Sequence, residues 1–403
     1  MPSRRRYLAT LGAGAVAGFA GCSDVVGRPA ASDPPAPETP PLDAERQIYG
    51  SDGRWSSFGC NASNTRSVHG IHAGEAPVDG VSEDWRVSVP GLQRRAPVVA
   101  DGTVYLPGRD AVRAYDAADG SELWRAEGVR DHPVVRGDTA FVADSLDRAV
   151  RALDADTGEE RWSVSVDAPP VGPTQYPGQP LVVGAGETVH ALDPASGDEV
   201  WSRQVFGSVL ASPPVWRGHT VAVATEAGEV SLLRLSDGQG VWRYRLPARP
   251  TCPPSADSDS VYVTCLDGAT YALGDDGNPA SDPYWSVDTG WTRLGLGVDS
   301  GLVFAGSTQG LHALDAESGD KRWTHDIGDW EVTAPAIGRD TLFVGGDRLW
   351  ALDPTEGGGD AGPPVRFERS FDGRVGPGPV LDDGTLYVVA ETGAESTHLV
   401  ALS

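Results

Sequence analysis

The chain has 403 residues, among them 51 glycines and 32 prolines, and it carries a formal net charge of −25. This length can bury a large core, and the density of turn-forming residues suits an all-β protein. The negative charge excludes nucleic acid as a partner, because binding to phosphates requires a basic face.

The charged residues are 57 acids and 32 bases, and Lys321 is the single lysine. An acidic surface of this kind keeps a protein hydrated in concentrated salt, where repulsion between like charges is screened. The composition therefore indicates adaptation to high salt, with an ordinary acidic secreted protein as the alternative.

Residues 1–22 have the features of an export signal. Arginines at positions 4–6 precede an apolar run of 14 residues from Tyr7 to Ala20. This run is too short to span about 30 Å of hydrocarbon. It leads into Phe-Ala-Gly-Cys, which ends at Cys22 and is similar to a lipobox. We therefore predict a twin-arginine-type lipoprotein signal and a lipid on Cys22 that holds the protein at the extracytoplasmic face of the cell membrane. The alternative is a secreted protein with an unmodified Cys22.

Residues 23–47 are rich in proline, alanine and acidic residues, with two proline clusters at 34–37 and 40–41. Such a segment cannot bury enough apolar surface to fold, and its prolines hold it extended. We predict a disordered tether here. Residues 48–84 then form a separate N-terminal segment that precedes the first repeat.

From Trp85 onward the sequence repeats itself with a period near forty residues. Successive tryptophans are 39, 38, 39, 41, 43 and 38 residues apart, and Phe367 follows after another 44. Four copies keep a full Ala-x-Asp, Gly, Trp pattern, with eight residues from Asp to Trp. A period of this size indicates a solenoid, a propeller or an array. The repeated tryptophans are Trp85, Trp124, Trp162, Trp201, Trp242, Trp285 and Trp323.

Each repeat contains three short apolar runs separated by turn residues, and the tryptophan lies on a fourth run. In the first repeat, Asp101-Gly102 separates two of these runs. This dipeptide predicts a β-hairpin, because both central residues of the favoured turn need positive φ. Four antiparallel strands form one propeller blade, which must stack against neighbours to bury its faces.

The ends of the chain complete each other. Seven full repeats run from Ala96 to Phe367, and an eighth begins at Pro379 but stops at Ser403, before its tryptophan strand. Residues 84–89, in contrast, are a tryptophan strand without the other three. We therefore predict an all-β fold over residues 85–403. It is a monomeric, eight-bladed β-propeller of four-stranded antiparallel blades, closed between the N-terminal strand and the last blade.

The pattern Ala-x-Asp-x-x-Thr/Ser-Gly-x-x-x-Trp resembles the tryptophan-docking repeat of quinoprotein-type propellers, the PQQ-like repeat family. The chain is also similar to the eight-bladed outer-membrane assembly lipoproteins of bacteria. The resemblance covers 319 of the 403 residues. It implies that each repeated tryptophan packs between blades against a glycine of its neighbour. The stretch from Trp55 to Thr65 resembles the opening of many such propellers, which implies that residues 48–84 cap the ring near its closure.

Two cysteines flank the hairpin of the fifth repeat. If its strands pair symmetrically about the turn at Ser258-Asp259, Cys252 and Cys265 lie opposite each other, at the separation that a bridge requires. We therefore predict a disulfide between them and a free Cys60. Two reduced, buried thiols are the alternative.

One face of the ring is expected to carry the connections between blades and the turns between second and third strands. The repeat pattern breaks at several of these connections, where aromatic residues accompany arginine and acids. Such combinations are typical of binding interfaces. The alternative is that Trp291 and Trp330 each fold onto their own blade or plug the mouth of the channel. The candidate partner face consists of Trp291, Arg293, Asp329, Trp330 and Glu331.

No motif indicates catalytic chemistry. The resemblance implies PQQ over calcium beneath a disulfide of adjacent cysteines in the family's dehydrogenases. Here no two cysteines are adjacent, and the eight histidines are scattered. We therefore expect no cofactor, and a non-catalytic scaffold that binds a protein or a cell-surface polymer. The resemblance suggests envelope protein complexes, although the expected source, a halophilic archaeon, has no outer membrane. The alternative is a PQQ- and calcium-dependent oxidoreductase that uses the central funnel.

Overall fold

A computed structural model describes residues 55–68, 76–90, 94–274, 282–328, 333–357, 362–393 and 396–403. In these ranges the chain forms 32 β-strands and no helix. The strands are arranged in eight four-stranded antiparallel sheets. The all-β fold class is therefore confirmed.

The strands are short, and most have three to six residues. Those of the first half are β1 (Glu83–Val89), β2 (Val98–Ala100), β3 (Thr103–Pro107), β4 (Ala111–Asp116), β5 (Glu122–Glu127), β6 (Val134–Arg136), β7 (Thr139–Asp144), β8 (Ala149–Asp154), β9 (Glu160–Ser165), β10 (Thr174–Gln175), β11 (Leu181–Ala185), β12 (Thr188–Leu192), β13 (Glu199–Gln204), β14 (Val215–Trp216), β15 (Thr220–Ala224) and β16 (Glu229–Arg234). Those of the second half are β17 (Gly240–Arg245), β18 (Ser255–Ala256), β19 (Val261–Thr264), β20 (Ala269–Leu273), β21 (Trp285–Asp288), β22 (Gly297–Asp299), β23 (Leu302–Ser307), β24 (Gly310–Asp315), β25 (Lys321–His325), β26 (Ala336–Gly338), β27 (Thr341–Val344), β28 (Leu349–Leu352), β29 (Val365–Arg369), β30 (Val380–Asp382), β31 (Thr385–Glu391) and β32 (Thr397–Leu402).

Each run of four consecutive strands from β2 to β29 makes one sheet, and we number these sheets blades 1 to 7. The first strand of each blade is the innermost, because first strands of neighbouring blades such as β22 and β26 contact each other. The second and third strands are buried. The fourth strand, which carries the repeated tryptophan, alternates between exposed and buried residues and forms the outer edge.

Blade 8 is built from both ends of the chain. Strand β1 pairs antiparallel with β32, which places Trp85 opposite Ala401. Beyond this pair, Ser82 and Ser403 exchange backbone hydrogen bonds of 2.7 and 3.1 Å. The predicted eight-bladed ring, closed between the N-terminal strand and the last blade, is confirmed. This closure pairs the edge of β32 that would otherwise be left open.

The aspartate of the repeat caps the loop between the third and fourth strands. In blade 2, Oδ1 of Asp154 accepts hydrogen bonds from the backbone N–H groups of Asp156 and Thr157. Its Oδ2 accepts a 2.7 Å hydrogen bond from Arg161, the residue before the tryptophan. The same carboxylate therefore closes the loop and positions the strand that carries the indole.

The hairpin with Cys252 and Cys265 differs from the prediction, and both cysteines are free thiols in the structure. Strands β18 and β19 pair symmetrically about the turn only over Ser255–Tyr262 and Ala256–Val261. Before them, two prolines interrupt the pairing, because proline has no N–H to donate. The register then shifts by two residues, so that Pro250 rather than Cys252 lies opposite Cys265. The prediction of direct opposition was therefore wrong.

Candidate functional site

The repeated tryptophans lie between neighbouring blades. A Cβ atom added to Gly158 of blade 2 would lie 2.8 Å from the ring of Trp124 in blade 1. The indole Nε1 of Trp124 also donates a 2.9 Å hydrogen bond to the carbonyl of Ala155 in blade 2. The indole of Trp124 therefore joins two blades through packing and through one hydrogen bond, whereas Nε1 of Trp242 has no hydrogen-bond partner. The same glycine contact occurs in the pairs Trp85–Gly120, Trp162–Gly197, Trp201–Gly238 and Trp285–Gly319.

The other two tryptophans of the set differ in detail. Nε1 of Trp323 donates to the carbonyl of Pro354 in blade 7 at 3.3 Å. Trp242 packs against Trp216, with ring centroids 6.2 Å apart. All seven indoles thus have positions set by the blade architecture, and they leave no ring free for a ligand at the channel.

The centre of the ring is occupied by residues 55–68, which we call the central segment. All fourteen residues are buried. Their carbonyl groups accept hydrogen bonds from the inner strands of six blades. The acceptor and donor pairs are Trp55 and Val99, Ser56 and Val135, Ala62 and Val215, Ser63 and Ala256, Thr65 and Val298, and Arg66 and Ile337. This segment therefore satisfies N–H groups of the inner edges that would otherwise face the channel.

The expected cap near the closure thus needs correction, because the described part of that segment runs along inner strands around most of the ring. A peptide that is surrounded by the unpaired inner edges of the blades can pair with each blade in turn. The sequence did not predict this path, because the segment occurs once and is therefore not part of the repeat pattern. The quinone of the alternative function would need this central space. The residues present do not fit it there, since the cofactor would have to displace fourteen buried residues.

Arg66 is the buried cation of the central segment, with 1% of its surface exposed. Its Nε donates to the carbonyl of Pro335 at 2.7 Å, and its Nη1 donates to the carbonyl of Phe58 at 3.3 Å. The guanidinium also lies 5.1 Å from the ring centroid of Trp55. Burial lowers the pKa of Arg66 to about 10. These contacts tie the segment to blade 7 and fold it onto itself.

One face of the ring carries the connections between blades, as the sequence predicts. Val209 of the connection after blade 3 pairs with Thr225 at the end of the second strand of blade 4. In the next blade, the N–H of Leu266 donates to the carbonyl of Arg249 at 2.8 Å. Connections and second-to-third-strand turns therefore alternate along the same rim.

The three most exposed of the large apolar side chains among the described residues lie on this rim, the first of them Leu146 at 60%. Phe206 is 57% exposed and Leu266 is 53% exposed. Arg293 places its guanidinium 4.8 Å from the ring centroid of the half-buried Trp291. Arg249 lies 3.6 Å from Glu226. We call the surface of Phe206, Arg249, Leu266, Trp291 and Arg293 the connection face.

The structure brings together only part of the predicted partner face. Trp291 and Arg293 lie on the connection after blade 5, on the same rim as Leu266, which sequence reasoning missed. The sequence does contain a signal for Leu266, because an apolar residue at the tip of a turn between two strands has no packing partner. Asp329, Trp330 and Glu331 lie outside the described residues, as does Cys22.

Two properties of the described residues concern metal binding and membrane insertion. In that part of the chain, no group of three or more His, Cys, Asp or Glu side chains is arranged to hold a metal ion. Nor does it contain a helix with the length and apolarity needed to cross a bilayer.

Comparisons with known proteins agree with this architecture. BamB of Moranella endobia (strain PCIT), an outer membrane protein assembly factor, is 25% identical over 278 residues, which cover 62% of this chain and 71% of that protein. Quinohemoprotein alcohol dehydrogenase ADH-IIG of Pseudomonas putida is also 25% identical, over 63% of this chain but only 36% of its own length. The crystal structure of BamB from Moraxella catarrhalis matches with a TM-score of 0.62 at 17% identity, over 80% of this chain and all of that one.

A family model described as outer membrane protein assembly factor BamB matches residues 78–187, 185–294 and 278–360. These matches span more than half of the chain. The chain therefore belongs to the family of PQQ-repeat β-propellers that this assembly factor represents.

Proposed function

We propose that this protein is a non-catalytic binding protein of the cell envelope, held at the membrane by a lipid on Cys22, whose connection face binds a partner protein. The observation that carries the proposal is the exposure of Leu266 on the same rim as the stacked pair Trp291 and Arg293. An apolar side chain with adjacent aromatic and arginine groups is the usual composition of a binding hot spot.

The family supports a protein partner. The relatives carry the name of factors that assist the assembly of outer membrane proteins. Their partner does not transfer to this chain by name, but the use of a rigid propeller as a platform for other proteins does. The central segment adds support, because it fills the space that a funnel-bound cofactor needs.

Crosslinking in native membranes followed by affinity purification of the full chain tests the proposal. We expect one or more specific partner proteins with wild type, and loss of their recovery with the double variant Leu266→Ser and Trp291→Ala. Leu123→Ser is the matched control, because Leu123 is 46% exposed but lies on the outer strand β5, away from the rim. Equal recovery from all three proteins would contradict the proposal.

The alternative function, a PQQ- and calcium-dependent oxidoreductase, leads to different expected results. Purified protein would then retain quinone absorbance after PQQ and calcium are added and excess cofactor is removed. It would also reduce a dye with alcohols or sugars as donors. We expect neither result, and either one with turnover would overturn the non-catalytic assignment.

A further inference from the structure

A cavity of about 420 Å³ lies between blades 3 and 4, on the outer side of the ring. Its walls come from the end of β13 and from β17, and its floor comes from the side of β16 that faces blade 3. The residues that determine its chemistry are Arg203, Gln204, Phe206, Glu229, Ser231 and Gly240. This volume is in the range of pockets that hold small ligands.

The cavity exists because two long side chains of the repeat are missing here. In blade 2, Arg151 and Glu160 fill the corresponding space and lie 2.8 Å apart. In blade 3, His190 and Glu199 do the same at 2.9 Å. Blade 4 has Ser231 and Gly240 at these two positions. A Cβ atom on Gly240 would meet only Nη2 of Arg203, at 3.9 Å, so the space is open.

Two charged residues take the place of small or apolar ones at the same cavity. Glu229 occupies a position that is Ala111 in blade 1 and Ala149 in blade 2. Arg203 occupies the position of Val164 in blade 2, which packs against the next blade. Four departures from the repeat therefore converge on one cavity. Packing alone explains none of them, because each neighbouring blade packs without them.

The polar groups have unused capacity for hydrogen bonds. Glu229 is only 5% exposed. Its carboxylate accepts one hydrogen bond of 3.2 Å from Ser231, and Arg243 lies 3.7 Å away. A carboxylate can accept about four hydrogen bonds. The side chain of Arg203 is exposed, and within the described residues it forms no hydrogen bond or ion pair. A ligand must therefore donate to Glu229 and also present an anionic group to Arg203.

We propose that this cavity binds an acidic saccharide, a sugar unit that carries a carboxylate. Its hydroxyl groups donate to Glu229 and to the hydroxyl oxygen of Ser231 and accept from the amide of Gln204, and its carboxylate pairs with the guanidinium of Arg203. The guanidinium of Arg245 lies 5.4 Å from the ring centroid of Phe206, and the other face of this exposed ring forms the wall against which the apolar face of a pyranose packs. Phe206 also belongs to the connection face, but the other residues of the site lie between blades 3 and 4, apart from Leu266 and Trp291. The site therefore adds a ligand to the proposed function and does not depend on it.

Titration calorimetry of the full chain with trigalacturonate tests the proposal, at the lowest salt concentration that preserves the fold. We expect saturable binding by wild type. The double variant Ser231→His and Gly240→Glu rebuilds the pair found in blade 3 and fills the cavity, so its affinity should fall at least tenfold. Arg203→Gln should also weaken binding at least tenfold, whereas Arg125→Gln, which makes the same charge change on the outer strand of blade 1, should not.

Two neutral or peptidic probes distinguish the ligand class. Maltotriose lacks the carboxylate and should bind at least tenfold more weakly than trigalacturonate. Triglutamate carries carboxylates without sugar rings and should also bind weakly. The proposal is overturned if wild type does not bind trigalacturonate, if the cavity variants bind it like wild type, or if triglutamate binds equally well. Thermal melting verifies that each variant is folded, and Arg203→Gln keeps the test valid if the double variant is not.

Discussion

The indole of Trp124 lies directly against the α-carbon of Gly158 in the next blade, so that an added Cβ would be 2.8 Å from the ring. Gly158 also has a φ of 73°, in the region that favours glycine. Contact and backbone conformation thus act at one residue, and their contributions to stability are separable by a matched pair of substitutions.

Gly158→Ala should destabilise the protein more than Gly178→Ala. Gly178 has a similar φ of 76°, but an added Cβ would meet nothing within 4 Å. Its substitution is expected to cost about 1 kcal/mol of conformational strain. At Gly158 the displaced indole adds about 1–3 kcal/mol for overpacking. Urea denaturation of both variants measures the difference, and equal losses of stability would mean that the docking contact contributes nothing.

Removal of β32 should abolish cooperative folding. Without residues 397–403, β1 loses its partner along its whole length, and blade 8 is left with an open edge. A chain that lacks residues 1–47 is the control, because this deletion leaves every blade intact, and it should melt like the full chain. Thermal melting by circular dichroism distinguishes the two deletions. A cooperative transition in the chain without β32 would show that closure through these strands is dispensable.

The repeat made most of this fold predictable from the sequence. A tryptophan, a glycine and an aspartate at fixed spacing each carry out one local task that recurs in successive blades. Asp154 caps its loop and Gly158 makes room for the indole, so the pattern can be interpreted without tertiary information. The incomplete repeats at the two ends of the chain then predicted that the ring closes between them.

Features that occur once were not predictable in this way. The path of the central segment depends on six inner edges that exist only after the ring has formed. The shift of register before Ser255 depends on how two prolines are accommodated, and a turn position alone does not determine it. The cavity beside Gly240 arises from four residues on three strands, which become neighbours only when blades 3 and 4 pack together.

Cys60, Cys252 and Cys265 should form no disulfide and should react slowly in the folded protein. Burial raises the pKa of Cys252 to about 11, and burial together with Asp267 raises the pKa of Cys265 further. At pH 8 both are therefore thiols, whereas alkylation requires the thiolate. Mass spectrometry of a chain without residues 1–47 should count three alkylated cysteines after unreduced denaturation and fewer before it. A single alkylated cysteine in the denatured sample would restore the disulfide.

His312 should make the protein less stable as the pH falls below 6.5. Burial, with a smaller contribution from Lys321, lowers the pKa of this histidine to about 4. Its ordinary pKa is about 6.5, so between these values the unfolded chain binds a proton that the folded chain does not. The free energy of unfolding therefore decreases as the pH falls through this window, and the contribution of His312 is fully present above it.

His312→Gln should reduce this pH dependence. Between pH 7 and pH 5, the lost stability should be smaller than in wild type by about 1–2 kcal/mol, which allows for partial solvent contact of the ring. The remaining dependence reflects His132 and His325, whose pKa values burial also lowers. His219→Gln removes an exposed imidazole and should behave like wild type. Urea denaturation at the two pH values measures the change, and parallel losses in His312→Gln and wild type would mean that His312 titrates alike in the folded and unfolded chains.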